Sequence, residues 1–382
     1  MTRPSMLQHG GAAGAAALAL FAALAMGCSG ESSDGASGAA GGESAPTLPT
    51  GLAEGWNEFA PGGESVCSRG TDYKYWVRKG TVNKVVIDFM GGGACWNAKT
   101  CGVADAIFEA NVDGIAKQIA AGESHGIYDV ANAENPFRDW YHVIVPYCTG
   151  DVHWGDSVVD YGDGVTIEHK GAVNASTVLD WVYAGFSAPE NILVTGCSAG
   201  SYGAALWSAH VAKHYPSSRI AQLGDSGAGI ITKDFFEQSF PKWNAQAALP
   251  SWIPGLDPMK VDILGLSMVD LYMEMTSYYA DATFSQYNTA FDETQAFYFK
   301  VMGGTTPEEW SQQMLASIDS IEAKAPRFAS FVPSGEQHCI LGFDNFYTVN
   351  VGGKRFVDWV NGLVEGAELD DLRCTDCTAP TP

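Results

Sequence analysis

Basic residues are scarce in this sequence. Its 382 residues include 21 lysines and arginines against 44 aspartates and glutamates, so the formal net charge is −23 at pH 7. Nucleic-acid binding rests on basic side chains that neutralise phosphates, which makes so acidic a chain a poor nucleic-acid binder. The same charge repels polyanionic substrates unless a local patch compensates. Because 46% of the residues are apolar, we expect a globular protein with a sizeable core.

Long apolar runs are absent except near the start. Ala12–Met26 follows Arg3 and is shorter than the ~20 residues that a membrane span needs, which predicts a secretory signal peptide. Its end resembles a bacterial lipobox, in which Cys28 would be lipidated after cleavage; a plain signal peptide is the alternative. The Ser/Gly-rich stretch that follows is typical of a flexible tether. The predicted organisation is residues 1–27 as signal peptide, 28–51 as lipidated cysteine and tether, and 52–382 as a single domain.

Cysteines other than Cys28 number eight. An even number in an exported chain indicates disulfides, although eight cysteines allow 105 pairings and the sequence does not choose among them. Cys95 and Cys101 flank a tight loop. Zinc is the alternative for Cys374-x-x-Cys377, but no second pair or histidine follows it, so we expect no metal.

Short apolar runs alternate with helical stretches along the body of the chain. Strand, helix, strand, helix, strand in sequence predicts an α/β fold with a mainly parallel sheet flanked by helices. Residues 230–330, rich in aromatics and methionine, predict amphipathic helices packed on that sheet, with some side chains lining a substrate groove. The predicted strands are 84–90, 141–146, 191–195, 220–223 and 328–332, and the clearest helices are 172–186, 202–215 and 356–364.

Ser198 lies in the pentapeptide Gly196-Cys-Ser-Ala-Gly200, which matches G-x-S-x-G. An apolar strand ends at Thr195 and a helix begins just after Gly200. This setting is typical of a nucleophile elbow, where small flanking residues permit a strained turn that exposes the serine hydroxyl. A glycine-rich structural turn is the alternative. The context favours Ser198 as a catalytic nucleophile.

A serine nucleophile needs a base, which is normally histidine. In the expected chain order of nucleophile, acid and histidine, His210, His214 and His338 qualify. His210 and His214 sit roughly 18 and 24 Å along the helix that starts at Ser198, at 1.5 Å per residue, and are too far away. We therefore predict that His338, in a loop after a strand, is the base.

The acid that orients the histidine has two candidates. Asp225 directly follows a strand, and Asp292 lies among apolar residues. Either carboxylate could fix the imidazole tautomer and stabilise the imidazolium. The local pattern does not choose between them.

Backbone N–H groups are expected to stabilise the oxyanion. In this arrangement one comes from the residue after the nucleophile, Ala199, and others from the loop after an earlier strand. The loop Met90–Trp96 fits that position, with Gly92 and Gly93 as donors. A phosphate-binding loop is excluded because no Lys-Ser/Thr and no G-x-G-x-x-G spacing occurs there.

Six separated stretches, in order, resemble the pectin acetylesterase and Notum carboxylesterase family. They span about 250 residues. They are GGGACWNAKTC at 91–101, YCTGDVHWGD at 147–156, GCSAGSYGA at 196–204, GDSGAG at 224–229, FDETQ at 291–295, and the pair His338-Cys339.

The resemblance implies an α/β-hydrolase fold without a cofactor and a Ser-His-Asp triad that cleaves carboxylic esters. It favours Asp292 as the acid and makes Asp225 part of a structural turn. Carried onto this chain, the family's oxyanion hole falls on Gly92, Gly93 and Ala199. It further implies the disulfides Cys95–Cys101, Cys67–Cys148 and Cys197–Cys339.

One departure concerns the glycine loop. Notum proteins have an aromatic residue where this chain has Gly93, and Trp96 comes later. We therefore do not expect a fatty-acyl pocket like that of Notum.

The prediction is an exported, monomeric serine carboxylesterase that hydrolyses O-acetyl esters of a glycan or a small molecule. It would contact a membrane only through the lipid on Cys28, at the periplasmic or outer surface, or otherwise be secreted. The alternatives are a non-catalytic surface lipoprotein that binds a glycan or protein on the same scaffold, and an enzyme that removes a longer acyl group from a protein.

Overall fold

Residues 46–102, 107–122 and 124–378 are described by the computed structural model. The predicted signal peptide, Cys28 and most of the predicted tether lie outside these residues. The end of the predicted tether packs on the domain, since the Thr47 N–H donates to Ser187 Oγ at 2.7 Å and the Ser187 N–H to the Thr47 carbonyl at 3.3 Å. The folded part therefore begins before the predicted boundary at residue 52.

Parallel strands dominate the main sheet of the described residues, which has the order β1-β2-β4-β3-β7-β8-β9-β10-β13. In this sheet the antiparallel pairings are β1–β2 and β2–β4, so β2 alone runs against the direction of the other strands. The strands are β1 Trp56–Phe59, β2 Tyr75–Arg78, β3 Lys84–Phe89, β4 Tyr141–Val145, β5 Ser157–Asp160, β6 Thr166–His169, β7 Asn191–Cys197, β8 Arg219–Asp225, β9 Thr283–Tyr287, β10 Phe328–Val332, β11 Asn350–Val351, β12 Lys354–Arg355 and β13 Leu372–Arg373.

Helices lie on both faces of this sheet. They are α1 Ala98–Gly102, α2 Asp113–Ala121, α3 Gly171–Gly185, α4 Ala199–His214, α5 Lys233–Trp243, α6 Met268–Tyr278, α7 Glu293–Val301, α8 Pro307–Lys324 and α9 Phe356–Glu365. In the described part of the chain, no helix is long and apolar enough to cross a membrane.

Side chains of β7 alternate between the two cores because successive strand residues point to opposite faces. Ile192 and Val194 pack in the cluster that contains the alanines of α4, while Leu193 packs in the cluster that contains Trp359 of α9. The sheet is thus covered on both sides, as expected for apolar parallel strands. The predicted α/β class with a mainly parallel sheet is confirmed.

Residues 230–330 differ from the prediction in one element. The four helices α5 to α8 lie in this region, but the region also contains β9, a strand of the main sheet between β8 and β10. Its polar residues concealed it: Ser285 is buried, with its N–H donating to Gln222 Oε1 at 3.2 Å and its hydroxyl to the Gln222 carbonyl at 2.7 Å. The bonds of Ser285 to Gln222 show how a polar residue can occupy an interior strand when a neighbouring strand supplies its partner.

Candidate active site

Ser198 occupies the sharp turn between β7 and α4. Its φ of 58° and ψ of −122° are strained for a residue with a side chain. The turn packs tightly on the end of β3, since a Cβ on Gly200 would collide with the Phe89 carbonyl, as would one on Gly196. Ser198 is held by its N–H, which donates to the Asp225 carbonyl at 2.8 Å. Ser198 therefore lies in a strained, tightly packed turn between a strand and a helix.

The glycine loop follows β3, the strand beside β7. Gly93 has φ of 71°, and a Cβ there would collide with the Ile107 carbonyl and the Tyr298 hydroxyl, so glycine is required. Within the described residues, the N–H groups of Gly92, Gly93 and Ala199 donate no hydrogen bond to the protein. These three donors are thus available to an oxyanion.

Two side chains that the sequence did not single out hold this loop. The Tyr147 hydroxyl donates to the Gly93 carbonyl at 2.9 Å. His153 Nε2 lies 2.9 Å from the Met90 carbonyl, and burial lowers the pKa of His153 to about 4. The neutral ring therefore donates a hydrogen bond rather than carrying charge. The stretch YCTGDVHWGD supplied both residues, but nothing local indicated which backbone atoms they contact.

His338 and Asp292 are brought together from the loops after β10 and β9. His338 Nδ1 lies 2.9 Å from both carboxylate oxygens of Asp292, which is fully buried, whereas the His338 side chain is 20% exposed. Asp292 also accepts from the Gln295 N–H at 2.8 Å and the Gln295 side-chain amide at 3.1 Å. The carboxylate is thus fixed from one side by Gln295 and faces the imidazole on the other.

Asp225, the other candidate acid, makes different contacts. Its Oδ2 accepts from the N–H groups of Ile340 at 2.8 Å and Leu341 at 3.0 Å. The neighbouring Ser226 hydroxyl accepts from the Cys339 N–H at 2.9 Å. Asp225 therefore anchors the backbone that follows His338 instead of contacting the imidazole, in agreement with a structural turn.

The other candidate histidines lie elsewhere. His210 Nε2 bonds the Ala248 carbonyl at 3.1 Å, and His214 stacks on Tyr183 with ring centroids 3.8 Å apart. Both are on the far part of α4, as the helix-length argument predicted.

Four disulfides join the eight cysteines of the described residues. The three pairings implied by the resemblance are present, and one of them, Cys197–Cys339, ties the residue before Ser198 to the residue after His338. The zinc alternative for Cys374 and Cys377 is wrong, because these two cysteines are also joined and offer no thiolates. The pairs are Cys67–Cys148, Cys95–Cys101, Cys197–Cys339 and Cys374–Cys377.

Potential metal-ligating side chains lie close together in two clusters of described residues, Cys95/Cys101/His169 and Cys197/His338/Cys339. Each contains two cysteines bonded to one another. Neither cluster offers the thiolate pair that a structural metal site would use.

Ser198 and His338 line two adjoining cavities. The acyl-side pocket has a volume of about 70 Å³ and a largely apolar wall. The larger cleft, about 890 Å³, extends past the glycine loop on the other side of Ser198. The acyl-side pocket is lined by residues that include Trp96, Val152, Ile230, Ile231, Phe235, Phe240, Met302 and Trp310. Ser198 and His338 are therefore accessible from both cavities.

Replacing Asp225 with asparagine is expected to change how stability depends on pH. Burial raises the pKa of Asp225 from 3.8 to about 6, opposed by the N–H groups of Ile340 and Leu341. The folded state binds this proton more tightly than the unfolded chain, so the stabilisation is full below about pH 4 and is lost as pH rises through 6. Wild type should lose roughly 3 kcal/mol of unfolding free energy from this group between pH 4 and pH 7, and Asp225→Asn should not.

Urea unfolding of both proteins at pH 4 and pH 7 measures this difference. Asp180→Asn, an exposed change on α3, is the control and should leave the pH dependence as in wild type. An Asp225→Asn protein whose stability relative to wild type is the same at both pH values contradicts the assignment.

A parallel sheet covered by helices on both faces, with a serine in a strand–turn–helix at the carboxyl edge, defines an α/β-hydrolase fold. The structure is similar to those of the Wnt deacylase Notum from Drosophila, with TM-scores of 0.63 and 0.61 for two crystal forms. The first covers 84% of this chain and 96% of that one at 17% identity, a likeness that shows the fold.

The family is shown by sequence as well. The model of the pectinacetylesterase family matches residues 60–248. The palmitoleoyl-protein carboxylesterase notum2 of Xenopus laevis is 30% identical over 148 residues, 36% of this chain and 28% of that protein. Pectin acetylesterase 11 of Arabidopsis thaliana is 28% identical over 186 residues, 46% of each chain. The matched segments thus span less than half of either relative. The chain belongs to the pectin acetylesterase and Notum family of carboxylesterases.

Proposed function

We propose that this protein is a serine carboxylesterase that removes a short acyl group, acetyl in the first place, from a glycan. The observation that carries the proposal is the shared cavity of Ser198 and His338, with Nδ1 of His338 held by the buried carboxylate of Asp292. A binding protein would need neither this pair nor an elbow serine. The non-catalytic alternative has no such observation in its favour.

In the proposed reaction, Ser198 Oγ attacks the ester carbonyl while His338 Nε2 takes its proton. Asp292 keeps the proton on Nδ1 and stabilises the imidazolium. The carbonyl oxygen gains negative charge and accepts from the N–H groups of Gly92, Gly93 and Ala199. The ester C–O bond then breaks, and the imidazolium gives its proton to the leaving alcohol.

Deacylation repeats these steps with water. His338 takes a proton from the water that attacks the acyl-Ser198 carbonyl, and a second tetrahedral oxyanion forms in the same site. Its collapse releases the carboxylic acid and returns the proton to Ser198 Oγ. Every step uses groups of this chain and the substrate.

Acyl-chain length is limited by the acyl-side pocket. Its volume of about 70 Å³ is less than half of the ~150 Å³ at which an engineered apolar cavity holds benzene. Trp96 and Phe235 form part of its wall and pack edge to face, with their ring centroids 4.8 Å apart. An acetyl group fits such a space and a long fatty acyl chain does not. This favours an acetylesterase over the enzyme that deacylates a lipidated protein.

A series of 4-nitrophenyl esters tests the proposed function. We expect kcat/KM on the acetate to exceed that on the octanoate by at least ~10-fold to 100-fold, since pockets discriminate misfitting methylenes by such factors. Met302→Ala enlarges the pocket and keeps the backbone carbonyl of residue 302, which accepts from Thr232. It should lower the ratio of kcat/KM on the acetate to kcat/KM on the octanoate by ~10-fold.

Met259→Ala is the matched control, because that methionine is 89% exposed and lines neither cavity. It should leave the acetate to octanoate ratio unchanged. Equal kcat/KM for acetate and octanoate in the wild type would refute the short-acyl proposal.

Export is part of the proposal and is supported by the four disulfides of the described residues, which form and persist in oxidising compartments. The signal peptide, the lipid on Cys28, the tether and the monomeric state stay predictions from the sequence.

A further inference from the structure

The larger cleft beside Ser198 is the place where the alcohol part of the ester would lie. We propose that it binds an uncharged glycan and discriminates against polyuronates. This inference rests on the proposed esterase function and deepens it by naming the charge class of the substrate.

Charge in the cleft is of one sign. Among its described lining residues are Glu109 and Asp344, which are exposed, and there is no lysine or arginine. Asp88 also lines it, but the Asp88 carboxylate is buried and bonded to the Tyr128 hydroxyl and to His142. Uronate carboxylates are normally recognised by basic side chains, above all by the bidentate fork of arginine. The acyl-side pocket supplies no lysine or arginine either. A substrate carboxylate in this cleft would therefore meet repulsion without a partner.

The size of the repulsion follows from Coulomb's law. Two negative unit charges about 6 Å apart in water repel each other enough to weaken binding ~3-fold. Glu109 is exposed, and the Asp344 side chain is 70% exposed, so water screens both and this low value applies. The two together would weaken binding of a monoanion ~10-fold, and more for a chain with several uronates.

Apolar and polar groups in the cleft suit a sugar ring. Phe343 is 51% exposed and presents an aromatic face, on which the C–H groups of a sugar can pack because ring faces carry negative potential. Beside it, His125 Nδ1 lies 3.2 Å from the Asp344 carboxylate, and Gln118 also lines the wall. These groups offer donors and acceptors to hydroxyls without requiring a charge on the ligand.

A cationic polypeptide would also be attracted by the acidic wall. The cleft volume of about 890 Å³ is in the range of pockets that enclose a small ligand, which favours a few sugar units over the surface of a folded protein. The small acyl-side pocket likewise favours an acetylated glycan over a lipidated protein. The glycan is therefore the occupant to which the proposal commits.

The experiment uses one acetylated oligogalacturonide in two forms, with its carboxylates free or methyl-esterified, so that the sugar chain is the same and the charge is removed by the ester methyl groups. The salt dependence separates the effect of the charge from that of the added methyl groups. At low salt, kcat/KM of the wild type should be at least ~10-fold higher on the methyl-esterified form, and this ratio should fall with added salt. In Glu109→Gln/Asp344→Asn, kcat/KM on the free-acid form should rise relative to kcat/KM on the esterified form, so that the ratio between the two forms falls ~10-fold.

The matched control is Asp180→Asn/Glu190→Gln, which removes two exposed carboxylates from α3 and from the residue before β7, at the end of that strand remote from Ser198. It should keep the wild-type ratio. Equal rates on the two oligosaccharides, or faster hydrolysis of an O-acetylserine in a lysine-rich peptide than of the esterified oligosaccharide, overturns the inference. Cleavage of 4-nitrophenyl acetate in the same samples shows that such a result concerns the cleft and not the esterase function; no cleavage of any ester overturns both.

Discussion

Ser198→Ala is expected to lower kcat on 4-nitrophenyl acetate by ~10⁵-fold to 10⁶-fold, which is the scale on which loss of a serine nucleophile acts. The acyl-enzyme cannot form without Oγ, and the hole formed by Gly92, Gly93 and Ala199 then has no covalent intermediate to stabilise. Alanine is smaller than serine, and the backbone strain at this position is present with serine as well. The variant should therefore fold. Steady-state kinetics and circular dichroism of the two proteins measure both points.

Ser201→Ala is the matched control for this change. Ser201 lies one helical turn further on, is buried, and its hydroxyl has no hydrogen-bond partner among the described residues. Its removal should leave kcat within a few-fold of wild type. Comparable losses in the two alanine variants would show that the hydrolysis does not depend on Ser198 as a nucleophile.

Asp292→Asn is expected to lower kcat by ~10⁴-fold, the effect known for the same change in serine proteases. The asparagine retains the shape of the side chain, but its NH₂ group can donate toward His338 Nδ1 and stabilise the tautomer that leaves no acceptor for the Ser198 proton. The Gln295 contacts should keep the loop in place. Kinetics on 4-nitrophenyl acetate provide the measurement.

Asp225→Asn separates the two acids that the sequence left equal. Since Asp225 contacts the backbone of Ile340 and Leu341 and not the imidazole, its replacement should alter kcat by less than ~10-fold at 25 °C. A loss in kcat at Asp225 that matches or exceeds the loss at Asp292 contradicts the assignment of the acid.

The elbow at Ser198 was predictable because its signals are local. An apolar strand, two small residues and a helix within about 20 positions determine the turn, and the helix length alone removed His210 and His214. The predicted strands at 84–90 and 191–195 match β3 and β7 for the same reason, since nearly continuous apolar runs are typical of interior parallel strands.

The choice between Asp225 and Asp292 needed contacts across long stretches of chain. Asp292 and His338 are 46 positions apart in the sequence, and Asp225 and Ile340 are 115 apart, so no local pattern contains these contacts. Only the resemblance favoured Asp292. The strand β9 was missed because its sequence is polar; its buried Ser285 bonds to Gln222 of β8, a partner that the sequence of β9 does not reveal. The acidic residues of the cleft, Glu109 and Asp344, likewise come from separate parts of the chain.

The most direct test of the central claim is covalent labelling of the purified protein by a serine-reactive fluorophosphonate, followed by intact mass and peptide mapping. We expect one phosphonyl group per chain, located on Ser198 and missing from Ser198→Ala. A folded protein that takes up no label, or that carries it on Ser201 or Ser226 instead, contradicts the assignment of Ser198 as the nucleophile.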